Sequence, residues 1–204
     1  MFSIPKNRKT LLFILAIGSP IAFSVWQALL NNFAVEVANF GGKEIGMLQS
    51  LREVPGFLAF TVVFLLLIIR QQNFAILSLI ILGIGTALTG FFPSIIGLYI
   101  TTVTMSIGFH YLETLRSSLS LQWLSKDEAP RVLGKLLSVH SASTLVVLSI
   151  LYIVVFMFEP NYPGLYAIAG FVTVIIGILC YSWSSVDRYY HREIILLYYS
   201  HDTN

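Results

Sequence analysis

Five charged or titratable residues lie inside long apolar stretches of the sequence, where a charge is costly. Arg52 and Glu53 are adjacent, and His110, Glu113 and Arg116 follow one another at spacings of three. In a helix this spacing places the three side chains on one side. A charge at the centre of a membrane helix costs about 2.5–3.5 kcal/mol even on the lowest scales, so it needs a partner or a water-filled cavity. The sequence therefore indicates a polar site at membrane depth.

The chemistry open to these residues is the binding of protons and anions. A desolvated carboxylate and an imidazole can both titrate near physiological pH, so His110 and Glu113 could form a proton relay. Arg52 and Arg116 could hold an anionic group, or they could compensate Glu53 and Glu113. Which arginine pairs with which glutamate stays open at this point. The structural alternative is that the charges neutralise each other and fix the register of the helices.

Composition excludes several classes of protein. Of the 204 residues, 56% are hydrophobic and only 11% are charged, whereas soluble domains carry about 25% charged residues. The net charge of +2 offers no basic surface for nucleic acid. The single cysteine, Cys180, excludes a disulfide framework and a cysteine-based metal site. We expect no metal ion and no other cofactor.

Six apolar runs are long enough to cross a bilayer core of about 30 Å as helices. We therefore predict an all-α polytopic membrane protein, with a bundle of six transmembrane helices within residues 1–185. The connections are short, which favours an up-and-down bundle in which successive helices are neighbours. The first run is too long for a cleaved signal peptide, so it is interpreted as a retained helix. The predicted spans are residues 11–31, 45–69, 74–92, 95–124, 133–158 and 165–183.

Lysine and arginine in the short loops predict the orientation of these spans. Lys43 stands alone on one side of the predicted bundle. The other side collects the remaining loop cations, which are Lys6, Arg8, Lys9, Arg70, Lys126, Arg131, Lys135, Arg188 and Arg192. This asymmetry predicts that both termini are cytoplasmic, and we expect the protein in the cytoplasmic (inner) membrane.

Further polar and helix-breaking residues accompany the charges. Gln27 and Asn31 lie about one turn apart in the first span, and both are included in the predicted pathway for a substrate or coupling ion. For these two residues, and for His140 in the fifth span, a structural hydrogen bond is the alternative interpretation. Pro55 and Gly56 follow the charged pair of the second span after one intervening residue and form a candidate hinge. A fixed kink or a close packing site is the alternative for that pair.

The usual signatures of membrane enzymes do not occur in the sequence. It contains no glycine-rich phosphate loop, no His-Glu-x-x-His and no Gly-x-Ser-x-Gly motif. We therefore predict no catalytic residue, and the protein is not expected to be an enzyme.

The arrangement resembles the amino-terminal half of a major facilitator superfamily transporter. Two local patterns support this: Gly46-x-Leu48-x-Ser50 opens the second span, and residues 127–134 (Asp-Glu-Ala-Pro-Arg-Val-Leu-Gly) form a charged turn into the fifth. Two features depart from the family. The Gly-x-x-x-Asp-Arg-x-Gly-Arg-Arg signature is missing after the second span, where residues 67–73 keep one positive charge, and family members have two six-helix halves.

This resemblance implies a secondary transporter of small solutes that works by alternating access. A solute of unknown identity would bind between two halves, so the chain would need a second six-helix half from another chain, a second copy of itself, or a missing carboxy-terminal part. Residues 186–204 then form a cytoplasmic connector or an interfacial tail. The alternative function is a six-helix membrane scaffold or assembly subunit without transport of its own.

Overall fold

The computed structural model describes residues 8–158 and 161–201, with side chains as far as residue 182. Within these residues the chain is all-helical, and six helices are long and apolar enough to cross a membrane, as expected for an integral membrane protein. The predictions of an all-α chain and of six spans are confirmed. The elements are α1 (Arg8–Glu36), α2 (Gly42–Phe57), a 3-10 helix (Leu58–Thr61), α3 (Val62–Leu65), α4 (Gln71–Thr89), α5 (Ile95–Trp123), α6 (Ala129–Phe158) and α7 (Tyr162–His201).

Polar side chains fix the points at which three of the helices begin, because the first N–H groups of a helix need acceptors. The hydroxyl of Ser94 accepts a hydrogen bond from the Gly97 N–H at 3.1 Å at the start of α5. Before α6, Ser125 and Glu128 cap each other, since each side chain accepts from the backbone N–H of the other. Asn161 Oδ1 accepts from the N–H of residue 164 at 2.8 Å at the start of α7.

The second span differs from the continuous helix predicted over residues 45–69. Helix α2 ends at Phe57, two residues after Pro55, and the chain continues as the 3-10 helix and the short α3. Pro55 has no N–H and cannot bond the carbonyl four residues back, which weakens the helix at this point. The 3-10 helix is held by Thr61, whose hydroxyl lies 2.6 Å from the hydroxyl of Tyr111 on α5. The second span is therefore a broken helix.

The last helix is longer than predicted. The sequence predicts a span over residues 165–183 and a separate tail over 186–204, whereas α7 runs without interruption from Tyr162 to His201. Its candidate membrane span is Tyr162–Ser182. The side chains beyond residue 182 and the whole of residues 202–204 lie outside the described part of the chain. The cytoplasmic or interfacial position of the tail therefore stays a prediction.

The helices do not pack in chain order. The main contacts join α4 to α5 and α7, α1 to α6 and α7, and α2 to α5. Successive helices are thus neighbours at α4 and α5, but the expected up-and-down neighbour order is wrong for the bundle as a whole. Glycine explains the close packing of α4 on α7, because a Cβ on Gly83 would lie 2.8 Å from the carbonyl oxygen of Gly170 on α7. Small residues of this kind let the backbones of membrane helices approach closely.

The charged side of the bundle is formed by four of the six spans. Helices α1 and α5 are in contact at the centre, α2 flanks α5, and α6 flanks α1, while α4 and α7 pack against the other side of the central pair. The largest fully buried side chains, Trp26, Tyr166 and Phe33, fill the interior. Helix α6 is the most exposed span, and its only buried residues are Leu136 and Leu151.

Candidate functional site

The first ion pair of the site lies on α2. Arg52 donates to Glu53 Oε1 through Nε at 2.9 Å and through Nη2 at 2.6 Å. Its Nη1 also donates to Gln27 Oε1 on α1 at 3.4 Å. The other carboxylate oxygen, Glu53 Oε2, lies 3.9 Å from His110 Nε2 on α5. The side chain of Glu53 is 59% exposed, so this pair opens to the surroundings of the bundle.

The second ion pair lies one turn apart on α5 and is more enclosed. Arg116 Nη2 donates to Glu113 Oε2 at 2.5 Å, and the side chains are 17% and 31% exposed. Arg116 Nη1 lies 3.4 Å from His140 Nδ1 on α6. A guanidinium nitrogen can only donate, so Nδ1 faces it as an acceptor. The second carboxylate oxygen, Glu113 Oε1, is buried without a hydrogen-bond partner among the described residues.

Two aromatic contacts connect His110 of the first ion pair to α1. Phe23 of α1 stacks on Phe109 of α5 with ring centroids 3.9 Å apart. Phe109 in turn meets the ring of its neighbour His110 edge-on at 5.2 Å. We call the seven residues that line this side of the bundle the polar cluster: Gln27, Arg52, Glu53, His110, Glu113, Arg116 and His140.

Gly56 provides the space for His110. A Cβ on Gly56 would lie 2.7 Å from His110 Cε1, which is closer than real contacts allow. The sequence predicts a hinge at Pro55 and Gly56, and the structure places the change from α-helix to 3-10 helix just after them. Gly56 is thus a close packing site against the cluster, while movement at this point stays a prediction.

Two serine hydroxyls bind carbonyl groups next to prolines, and these contacts join the flanking helices to the central ones. Pro20 in α1 and Pro55 in α2 have no N–H, so each leaves the carbonyl four residues back, Ala16 or Leu51, without its helix donor. Ser143 of α6 donates to the Ile17 carbonyl at 3.0 Å, three residues before Pro20. In the same way, Ser106 of α5 donates to the Arg52 carbonyl, three residues before Pro55. Both serines therefore bind the carbonyl one residue after the freed one, within the turn that precedes the proline.

The two histidines of the cluster lie at these same contacts. His140 faces the Ala16 carbonyl, the group left without a helix donor by Pro20. His110 faces the Arg52 carbonyl that Ser106 also binds. At α2 the serine and the histidine share one carbonyl, whereas at α1 they bind the neighbouring carbonyls of Ile17 and Ala16.

A half-open groove of about 370 Å³ lies between α1 and α6 beside the polar cluster. Its polar atoms come from uncharged side chains. Gln27 and His140 belong both to the groove and to the cluster. Because Gln27 contacts Arg52 and His140 contacts Arg116, the groove lies between the two arginines. The complete lining is Phe23, Ser24, Gln27, Ala28, His140, Thr144 and Leu148.

Most of the predicted site residues are brought together, with one exception. Arg52, Glu53, His110, Glu113, Arg116 and Gln27 all belong to the cluster. Asn31 is exposed one turn further along α1, and no contact joins it to the cluster within the described residues. Sequence analysis left His140 outside the site, although its spacing of three from Ser143 and the proline in α1 together could have indicated it.

No protein-family model matches this sequence, and no curated protein matches it either.

Proposed function

We propose that the protein is a secondary transporter of small solutes, equivalent to the amino-terminal half of a major facilitator superfamily transporter. The observation that carries this proposal is the polar cluster itself. Two arginines, two glutamates and two histidines meet on one side of four helices that are long and apolar enough to cross a membrane. Ionisable residues at such depth mark substrate or ion pathways by default.

The packing order of the helices supports the comparison with that superfamily. If the first three spans are exchanged with the last three, α1 takes the place of α5, α2 that of α6, and α4 that of α7. Under this exchange, the contact between α2 and α5 corresponds to the contact between α6 and α1. The contact between α4 and α5 corresponds in the same way to the contact between α7 and α1, and all four contacts are present. Repeats of three spans are the building plan of each half in that superfamily.

In this proposal Glu53 and Glu113 carry coupling protons or salt bridges, and Arg52 and Arg116 balance them. His110 and His140 connect the pairs to neighbouring helices. The broken second span beside Pro55 and Gly56 is the candidate hinge. A second six-helix half would cover the side of the bundle that carries the cluster. The protein would lie in the cytoplasmic (inner) membrane, with both termini in the cytoplasm.

The test is solute uptake into right-side-out membrane vesicles from the native host, in which any second half is present. Wild-type vesicles would be compared with vesicles that carry Glu113→Gln or Arg116→Ala, and accumulated solutes from a defined mixture would be measured by mass spectrometry. We expect at least one solute to accumulate in wild type and to be lost in both variants. Equal accumulation in all three preparations would remove the proposed roles of these residues.

A second candidate, a membrane scaffold or assembly subunit, is favoured by one observation. Each arginine pairs with a glutamate on its own helix, adjacent for Arg52 and one turn away for Arg116. Such pairs could serve only to neutralise each other. In that case the variants would lower the amount of assembled protein without changing any uptake rate per molecule.

A further inference from the structure

The charges that surround the groove between α1 and α6 are balanced. Arg52 is bound by Glu53 and Arg116 by Glu113, so two positive and two negative side chains give a net charge of zero. The groove reaches these pairs through Gln27 on one side and His140 on the other. A ligand in the groove therefore meets no arginine that lacks a counter-ion.

The groove itself offers hydrogen bonds from uncharged groups. Gln27 uses its carbonyl oxygen on Arg52, which leaves the two N–H bonds of its amide to donate. Thr144 donates its hydroxyl to the His140 carbonyl at 3.1 Å, and its oxygen keeps a lone pair. Phe23, Ala28 and Leu148 supply apolar walls. This combination fits an apolar body with one or two hydrogen-bonding groups.

The absence of an unpaired charge decides the class of ligand. A charged group that enters a site of low polarity loses its hydration, and only an opposite charge or several hydrogen bonds compensate that loss. An anionic solute would have to displace a glutamate from its arginine, and a cationic solute would have to displace an arginine from its glutamate; either exchange leaves one buried charge unpaired. An uncharged solute needs no such exchange.

We propose that the groove binds an electroneutral small solute, with its apolar part against Phe23 and a hydrogen-bonding group at Gln27. The inference rests on the proposed function, because it names the class of solute that the same site takes. In this arrangement the charged pairs lie next to the bound solute and make no direct contact with it. They remain free to bind protons while the solute is held.

The experiment measures the reaction of a cysteine in the groove with three reagents that differ in charge. Ala28 is exposed, so Ala28→Cys in a Cys180→Ala background disturbs the fold little. The reagents are the hydroxyethyl, sulfonatoethyl and trimethylammonioethyl methanethiosulfonates, which are neutral, anionic and cationic. Rates are measured in native-host membrane vesicles opened to both sides, in which any second half is present, and are divided by the rate of each reagent with a free thiol. Leu148→Cys provides a second groove position if Ala28→Cys does not fold.

Two control cysteines frame the result. Gly42→Cys at the exposed start of α2, where an added Cβ has no neighbour within 4 Å, reports reaction in water. Ile150→Cys, whose parent side chain is 57% exposed on the apolar surface of α6, reports a thiol in lipid. We expect the neutral reagent to react in the groove nearly as fast as at Gly42→Cys. The two charged reagents should be slower than the neutral one by about tenfold or more.

Each other outcome overturns the inference in a recognisable way. If the anionic or cationic reagent reacts in the groove as fast as the neutral one, the class of solute is wrong, while a water-filled site remains. If all three reagents are as slow as at Ile150→Cys, the groove is filled by lipid. That result would contradict both the inference and the proposed function.

Discussion

The two ion pairs show how individual side chains at membrane depth are stabilised. Helical spacing was enough to predict that Glu113 and Arg116 share a side of α5, because residues three apart are neighbours on any helix. The pairing of Arg52 with Glu53 could not be predicted, because two adjacent residues usually point in different directions. The structure pairs them since Gln27 accepts from the same guanidinium and orients it.

The pair of Glu113 and Arg116 should be strongly coupled. Arg116→Met leaves a partly buried carboxylate without its cation, which we expect to lower the free energy of unfolding by about 1–3 kcal/mol. Glu113→Gln alone should cost a similar amount, and the double variant should cost less than the sum. The free energy of unfolding would be measured in mixed detergent micelles for wild type, the two single variants and the double variant. Additive losses would contradict the direct interaction.

Gly56 gives a second prediction at the scale of one residue. Gly56→Ala should displace His110, because the added carbon would lie 2.7 Å from the imidazole. Gly46→Ala on the same helix is the matched control, since nothing lies within 4 Å of its added carbon. The control should stabilise α2 by up to about 1 kcal/mol through helix propensity. Gly56→Ala should instead lower the midpoint of thermal unfolding, and a gain equal to that of the control would show that His110 does not lie there.

At the scale of the elements, the broken second span is the clearest departure from the sequence prediction. Hydropathy alone treats residues 45–69 as one apolar run, and it contains no information on where hydrogen bonds are lost. Pro55 does indicate a hinge or a fixed kink, and α2 ends two residues after it. The 3-10 helix depends on Thr61 and Tyr111, which are 50 residues apart in sequence, so a local pattern could not predict it.

The contact of Ser143 with the carbonyl before Pro20 should stabilise the packing of α6 on α1. Ser143→Ala should cost about 0.6–1.7 kcal/mol, the range measured for hydrogen bonds between membrane helices. Ser138→Ala is the control, because that hydroxyl bonds to its own helix at Gly134. A cost of Ser143→Ala no larger than that of Ser138→Ala would contradict this account of the contact.

At the scale of the whole molecule, side-chain contacts connect the helices at the end of the bundle that carries most of the loop cations. Lys9 of α1 binds Glu128 before α6 at 2.6 Å, and Arg8 lies over the ring of Trp123 at 5.8 Å. Gln122 donates to Gln71 at 2.7 Å and joins α5 to α4. The sequence placed these loops on one side from charge alone. It could not predict their contacts, because the order in which the helices pack depends on close glycine contacts between distant segments.

The ion pair between Lys9 and Glu128 predicts that the stability of the protein depends on pH. The hydrogen bond from Lys9 holds the pKa of the Glu128 carboxyl below its ordinary 4.5. A depressed carboxyl pKa contributes stability that is present above the ordinary value and lost as the pH falls through the depressed one. Wild type should therefore lose more stability than Glu128→Gln between pH 6 and the acid limit of folding, both measured in the same detergent. If the free energies of unfolding of the two proteins fell equally with pH, the ion pair would contribute nothing to stability.

The measurement that tests the central claim most directly is the access of water to the polar cluster. Ser117 is exposed on α5, next to Arg116 and about 9 Å along the helix from its last residue, Trp123. A Ser117→Cys variant in a Cys180→Ala background would be treated with the neutral, water-soluble reagent hydroxyethyl methanethiosulfonate in native-host vesicles opened to both sides. Ile150→Cys would serve as the lipid-facing control. If the cluster lines a water-filled cleft, Ser117→Cys reacts and Ile150→Cys does not; protection of both positions would contradict the cleft and favour a packed scaffold.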